Sequence, residues 1–420
     1  MVEEDKTAVV PTLRFPEFHN APGWKTVPLE KIAERVSTKN TDGAVTRVLT
    51  NSAEYGVLDQ RDYFDRDIAS AGKIDGYYIV DAGDYVYNPR TSATAPVGPI
   101  SRNNVGKGVM SPLYTVFRFA EEKTDFYEHF FKSAGWHSYV RKAASTGARH
   151  DRMSITTGAF MKMPVPTPKN AEQQKIADCL TSLNELIAAQ GQKVEALKTY
   201  KRGLMRRLFP REGETVPRLR FPEFQDAQEW EEKNFGSIIE IVSGQVDPTK
   251  APYIDLPHIG GESIESDTGK ILEVETAREL GLISGKYFFD ETCILYSKIR
   301  PALNKVAAPN FKGICSADIY PVRPSSSDLL KSYLFHLLLS EGFMEYTTKH
   351  SDRSKIPKVN RETLLSYMVL LPRPVEQNKI ALFLSSIDAQ TAAEDNKLAA
   401  LKVHKTALMQ KLFPPSQEVK

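Results

Sequence analysis

The stretch that decides the fold is EQQKIADCLTSLNELIAAQGQKVEALKTYKRGLMRRLFP, residues 172 to 210. It returns 204 positions later, without a gap, as EQNKIALFLSSIDAQTAAEDNKLAALKVHKTALMQKLFP, residues 376 to 414. In the first copy the apolar positions advance by four and three in turn: Ile176, Leu180, Leu183, Ile187, then Gln190, then Val194, Leu197, Lys201, Leu204 and Leu208. The second copy gives Ile380, Leu384, Ile387, Thr391, Glu394, Leu398, Leu401, Lys405, Leu408 and Leu412. A 3.5-residue period kept for about five heptads is the pattern of a coiled coil. Pro168 and Pro372 end the preceding segments and open the helices, while Pro210 and Pro414 stop them. The expectation is two long helices that pair with each other, each spanning roughly 55 Å at ~1.5 Å per residue. Gln190 and Glu394 fall in one register near the middle of the seam. A polar layer there either fixes register at a cost in stability or faces another protein, and both readings stay open.

Outward from the helices, the whole chain repeats. LRFPEF occurs at 13 to 18 and again at 219 to 224, each copy followed six residues later by a tryptophan, Trp24 and Trp230. WKTVPLEKIAERVS (24 to 37) then aligns with WEEKNFGSIIEIVS (230 to 243). Tyrosine-rich and branched runs, YYIVDAGDYVYNPR (77 to 90) and YFFDETCILYSKIRP (287 to 301), read as strands that feed basic loops. SPLYTVFRF (111 to 119) and SADIYPVRP (316 to 324) follow, and after them come aromatic-rich helical stretches at 126 to 142 and 329 to 349. The order of parts is cyclic, because joining the carboxyl-terminal KLFPPSQEVK to the amino-terminal PTLRFPEF recreates the central junction RLFP-REGETVPR-LRFPEF. Antiparallel helices would then place a pseudo-twofold axis at their midpoint. The boundaries are a first domain at 1–168, a first helix at 169–210, a second domain at 211–373, a second helix at 374–414 and a tail at 415–420.

Composition excludes several classes. The 420 residues carry 55 Lys plus Arg against 53 Asp plus Glu, a formal net charge of only +2, so attraction to a polyanion requires charge gathered on one face. Cys179, Cys293 and Cys315 have no metal-ligand spacing, and an odd, sparse count argues against a disulfide framework. The amino terminus MVEEDKTAVV lacks an apolar core segment and no run approaches a membrane span, so a cytoplasmic protein is expected. No GxxxxGK[ST], GxGxxG, HExxH or GxSxG pattern occurs. NPRT (88 to 91) faintly resembles the Asn-Pro-Pro-aromatic motif of amino-methyltransferases, but Arg90 stands for the second proline and no glycine-rich loop precedes it. Catalytic and metal sites are therefore expected to be absent from this chain.

What remains is a pair of domains with basic loops. The first offers Arg90, Arg102, Lys107, Arg141, Lys142, Arg149 and Arg152. The second offers Lys298, Arg300, Lys305, Lys349, Arg353, Lys355, Lys358 and Arg361. Such side chains neutralise phosphates and donate to guanine edges, and their recurrence in both halves counts for more than any single residue.

On the cyclic order, the paired EQxKIA helices ending in LFP and the LRFPEF openings with tryptophan, the chain resembles the specificity subunits of type I restriction-modification systems over nearly its whole length. The resemblance implies an α/β fold of the mixed α+β kind: two globular target recognition domains separated by a pair of long antiparallel coiled-coil helices, in a pseudo-twofold cyclic repeat. Each domain would read one half of a split, asymmetric site in double-stranded DNA. The helices would set the spacing and dock two modification (methyltransferase) subunits, and restriction subunits (translocase and endonuclease) would join that core. S-adenosylmethionine, ATP and Mg would sit on those partners, with no cofactor and no membrane contact for this chain. A coiled-coil scaffold that does not bind nucleic acid, or a stand-alone enzyme, are the other readings; salt-dependent DNA affinity separates the first from the scaffold.

Overall fold

The computed structural model describes residues 9–63, 74–121, 123–144, 151–211, 213–352 and 354–413. Arg149 and Arg353 lie outside them. The chain divides into two compact units, Met1–Ala189 with Leu398–Lys420, and Gln190–Lys397. The long helices run Asn170–Leu208 and Pro374–Leu412, 39 residues each, so every unit combines a globular part with a segment of both.

The first unit is built on a four-stranded antiparallel sheet in the spatial order Ala33–Val36, Thr115–Phe119, Tyr85–Tyr87, Ile100–Arg102. Its side chains alternate between two covered faces, as a strand's period of two requires. Tyr85, Tyr87, Phe117 and Phe119 enter an aromatic core with Trp24, Phe126, Phe130, Phe131, Trp136 and Phe160, whereas Val86 and Val116 enter a smaller core with Leu49, Val57, Val80 and Met110. Burial on both faces is why these strands read as near-continuous apolar runs. Tyr87 stacks on Phe160 with ring centroids 4.5 Å apart, and Tyr85 on Phe117 at 5.6 Å. The strand after the first tryptophan, Lys25–Pro28, pairs with Pro164–Thr167, which leads into the first long helix.

The second unit repeats this plan. Its sheet runs Ile239–Ile241, Ile319–Pro324, Ile294–Ser297, Val306–Ala307, and Glu231–Asn234 pairs with Met368–Leu371 ahead of the second long helix. Ile294, Tyr296, Tyr320 and Val322 face one core, and Leu295 and Ile319 the other. Each aromatic helical stretch expected from sequence is two helices: Asp125–Phe131 and His137–Ala143 in the first unit, Lys331–Leu338 and Glu341–Lys349 in the second. The second break has a clear cause, since Ser340 is extended and its Oγ accepts the Phe343 amide, opening a new helix.

Within the first unit, Ile176 and Leu180 near the start of one long helix share a core with Leu408 and Leu412 near the end of the other. Within the second, Leu204 and Leu208 near an end share a core with Ile380, Leu384 and Ile387 near a start. Start beside end, in each unit, is antiparallel pairing. Along the seam Ile176, Leu180, Val194, Leu204, Leu208, Ile380, Leu384, Ile387 and Leu412 are buried, and Leu183, Ile187, Leu197, Leu398, Leu401 and Leu408 are half-buried.

Candidate nucleic-acid interface

The globular parts are fixed to the helices by one set of contacts made twice. Arg14 of the first LRFPEF clasps Glu172 through Nε (2.6 Å) and Nη2 (2.7 Å), and its remaining donors reach the carbonyls of Ala21 and Pro22. Arg220 of the second copy clasps Glu376 at 2.8 Å through the same two nitrogens and reaches the carbonyls of Ala227 and Gln228. Lys175 pairs with Glu17 and sits over the Phe15 ring, as Lys379 does with Glu223 and Phe221. Gln173 and Gln377 donate to the carbonyls of Pro168 and Pro372. The RFPE of one repeated motif and the EQxK of the other are therefore cognate surfaces. The amide of Leu219 also donates to the Arg207 carbonyl at the end of the helix before it, while the amide of Leu13 donates to the Lys411 carbonyl. The cyclic order read from sequence is thus completed inside the first unit by a noncovalent contact.

A second repeated device brings two loops together at the sheet end. In the first unit Arg90, just past the strand Tyr85–Tyr87, forms a bridge with Arg152; the Thr91 amide donates to the Asp151 carbonyl and the Met153 amide to that of Pro89. In the second unit Ile299, just past Ile294–Ser297, forms the equivalent bridge with Lys358; the Arg300 amide donates to the Pro357 carbonyl and the Val359 amide to that of Lys298. Both stitches follow the same sheet strand, so one scaffold presents different side chains.

The loops are held from beneath. Asn88 Oδ1 accepts the Arg90 amide at 3.0 Å, and Asn88 Nδ2 donates to the Asn51 carbonyl at 2.9 Å. This structural duty accounts for the Asn of NPRT. Gly98 closes the loop with φ +86°, and a Cβ there would lie 2.1 Å from the Asn88 carbonyl oxygen, so only glycine fits. In the second unit Lys298 Nζ lies 5.2 Å from the Tyr320 ring centre and the Arg361 guanidinium 6.0 Å from it, two cations on one aromatic platform. Arg361 also donates to the Ile241 carbonyl at 3.3 Å. Arg300 is held at φ +47°, a costly conformation for a residue with a Cβ.

The basic residues singled out from sequence thus fall into groups. Arg90 and Arg152 come together in the first unit; Lys298, Arg300, Lys358 and Arg361 do so in the second, with exposed Lys355 on the same loop. Arg102 is engaged by Asp125 at 2.7 Å and lines a separate cavity of about 390 Å³ with Tyr55, Trp136 and His137. Lys107 stands 3.9 Å from Asp81. Arg141 and Lys142 lie exposed on the helix His137–Ala143, and Lys349 ends the helix Glu341–Lys349. Lys305 donates to the Gly261 carbonyl at 2.6 Å. Sequence reasoning missed Asn88, Gly98 and Tyr320, which aim the loops without carrying charge.

Buried polar groups line the helices. Gln190 donates to the Glu394 carbonyl (2.9 Å) and to its Oε2 (2.7 Å), and Lys193 also pairs with Glu394. Lys201 pairs with Asp388 at 2.6 Å; burial pushes that carboxyl up while Lys201 opposes the shift. His129 Nε2 meets Thr181 Oγ1 at 3.2 Å in the first unit, and His336 Nε2 meets Ser385 Oγ at 3.1 Å in the second. Burial pushes these imidazoles down to about 4 and about 3, with Lys132 and Lys201 respectively adding to the effect. Among the described residues no group of three or more His, Cys, Asp or Glu is placed to hold a metal, and no helix is long and apolar enough to cross a membrane.

Comparison with known proteins agrees with this architecture. Residues 227–403 match the model of the type I restriction modification DNA specificity domain. The type I restriction enzyme EcoDI specificity subunit of Escherichia coli is 27% identical over 264 residues, 57% of this chain and 58% of that subunit, so the match spans under two thirds of the relative's length. The MjaVIII specificity subunit of Methanocaldococcus jannaschii is 23% identical over 316 residues, 67% of this chain and 68% of that one. Among solved structures, a chain described under complex assembly and conformational transition of the type I R-M system superposes with TM-score 0.58 at 16% identity, covering 93% of this chain and 98% of that one. The type I restriction-modification S subunit from M. genitalium gives TM-score 0.54 at 13% identity, covering 97% and 100%. These last two speak for the fold.

Proposed function

We propose that the chain is a specificity subunit of the type I restriction-modification kind, the DNA-reading part of such a complex, and does no chemistry of its own; the match of residues 227–403 to the DNA specificity domain and the likeness to the EcoDI specificity subunit support this reading. One observation carries the reading: the same two-loop stitch on the same sheet strand occurs in both units with different side chains, Arg90 and Arg152 in one, Ile299 and Lys358 in the other. A repeated scaffold with unlike readers suits a site whose two halves differ. Arginine and lysine at the stitches supply phosphate neutralisation and donors to base edges.

The linear domains 1–168 and 211–373 are the target recognition domains, and the helices of 169–210 and 374–414 are the spacer. Two modification subunits dock on the helices and bring S-adenosylmethionine; a methylated adenine is flipped out of the duplex into their pocket. Restriction subunits, with ATP and Mg, join that assembly.

The test is to co-express the chain with its modification subunits, map modified adenines across a genome and footprint the complex on a site so found. Two short blocks separated by a fixed gap are expected. One contiguous protected block overturns the reading, and an absence of any salt-dependent DNA affinity returns the chain to a scaffold.

A further inference from the structure

The basic loop of the second unit carries an exposed apolar side chain. Residues 354 to 358 read Ser-Lys-Ile-Pro-Lys, and Ile356 is 42% exposed between Lys355 and Lys358, themselves exposed. Water gains nothing from an isoleucine there, and burying it fully would be worth roughly 1.5 to 3 kcal/mol. Nor is the loop slack. Asp352 Oδ1 accepts from the Ser354 amide at 3.2 Å and the Lys358 amide at 3.1 Å, and Ser354 Oγ lies 2.6 Å from that oxygen and 2.7 Å from the Ile356 carbonyl. Pro357 restricts the backbone, and its carbonyl accepts the Arg300 amide at 2.8 Å. An isoleucine whose own carbonyl and whose neighbours Ser354 and Lys358 are tied by hydrogen bonds loses less freedom when it binds than one on an unbonded loop.

Building on the reading of the chain as a DNA-reading subunit, we propose that Ile356 enters the major groove of the half-site read by the second unit and packs against the 5-methyl group of a thymine. Lys355, Lys358 and Arg300 hold the phosphates beside it. The chemistry selects the target: among base edges in the major groove the C5 methyl of thymine is the one projecting apolar group, and the nitrogens and oxygens beside it are donors or acceptors that an isoleucine would desolvate without replacing. The first unit's stitch, with Arg90 and Arg152, presents donors suited to guanine instead.

The full chain in complex with its modification subunits is tested by competition binding against duplexes of its own site. In these, each thymine of either strand in that half is replaced in turn by deoxyuridine, which removes the methyl and keeps the pairing. One replacement is expected to weaken wild-type binding about fourfold, the ~0.8 kcal/mol of one buried carbon. Ile356→Ala, whose melting temperature should match wild type because the side chain is exposed, is expected to bind the two duplexes equally. The assignment is overturned if no thymine responds, or if Ile356→Ala keeps the response. A wild-type complex with no bipartite preference at all sinks the parent reading, and this proposal with it.

Discussion

Gln190 and Glu394 hold the same place in the two repeats, 204 positions apart, and are bonded to each other, Gln190 Nε2 to Glu394 Oε2 at 2.7 Å. Equivalent residues meet in this way only where antiparallel copies cross; elsewhere on the seam partners come from different layers, as Lys201 with Asp388. Of the two roles that sequence leaves open for this layer, the register-fixing one has its contacts inside the second unit. Replacing both residues with leucine should raise the melting temperature by about 2–4 °C per kcal/mol regained, since an apolar layer avoids desolvating polar groups. It should also loosen the choice of pairing partner, seen as extra oligomers in light scattering. Glu394→Leu alone should lower the melting temperature, because Lys193 loses its carboxylate partner and Gln190 is left with only the backbone carbonyl of residue 394.

The buried pairs Arg14–Glu172 and Arg220–Glu376 give a sharper test, with side chains only 7% and 2%, and 11% and 3%, exposed. Arg220→Ala should destabilise the second unit by about 3–5 kcal/mol, the cost of leaving a buried carboxylate without its partner. Replacing Glu376 with leucine in that background should recover much of the loss. A double-mutant cycle followed by denaturant unfolding measures the coupling, and additive effects would show that the clasp contributes nothing as a pair.

How much of this was legible in the sequence depends on the kind of residue. The helices were, because a 3.5-residue period kept through Ile176 to Leu208 has one stable solution, and they end at Leu208 and Leu412, each two residues before Pro210 and Pro414. The strands were as well, since Tyr85–Tyr87 and Ile294–Ser297 are covered on both faces and so read as apolar runs. The Arg14–Glu172 clasp was hidden: both members stand in visible motifs, but nothing in one sequence links position 14 to position 172. The loop stitches were hidden for the same reason, and only part of the basic set converges. Arg102 and Lys305 look like Arg90 in sequence, yet Asp125 and the Gly261 carbonyl engage them.

Acid should weaken the molecule through two histidines. His129 and His336 have pKa values lowered by burial to about 4 and about 3, from an ordinary value of 6.5. Below pH 6.5 the unfolded chain therefore takes up protons that the folded chain refuses. Stability is full above pH 6.5 and falls by up to about 1.4 kcal/mol per pH unit for each histidine, down to the folded-state value. Melting temperatures recorded from pH 7 to pH 4.5 should decline, and His336→Phe should flatten the decline. Its absolute stability will also register the loss of the Ser385 contact.

Arg90 tests whether the first unit reads bases or only holds phosphates. Its backbone is fixed by Asn88 and by the bridge to Arg152 while the residue itself is exposed, so Arg90→Ala should leave folding intact. If the guanidinium donates to a guanine edge, the variant complex should lose about 1–3 kcal/mol of discrimination at one base pair of one half-site, with the other half unaffected. If it meets a phosphate, affinity should drop equally for all sequences and the slope of log affinity against log salt should shrink by about 0.9. Binding measured for all four base pairs at each position, at two salt concentrations, separates these outcomes. The stitch geometry favours the first, because a rigidly held backbone at the end of a sheet strand is the arrangement that direction-sensitive hydrogen bonds to a base require, whereas a phosphate is served as well by a mobile lysine.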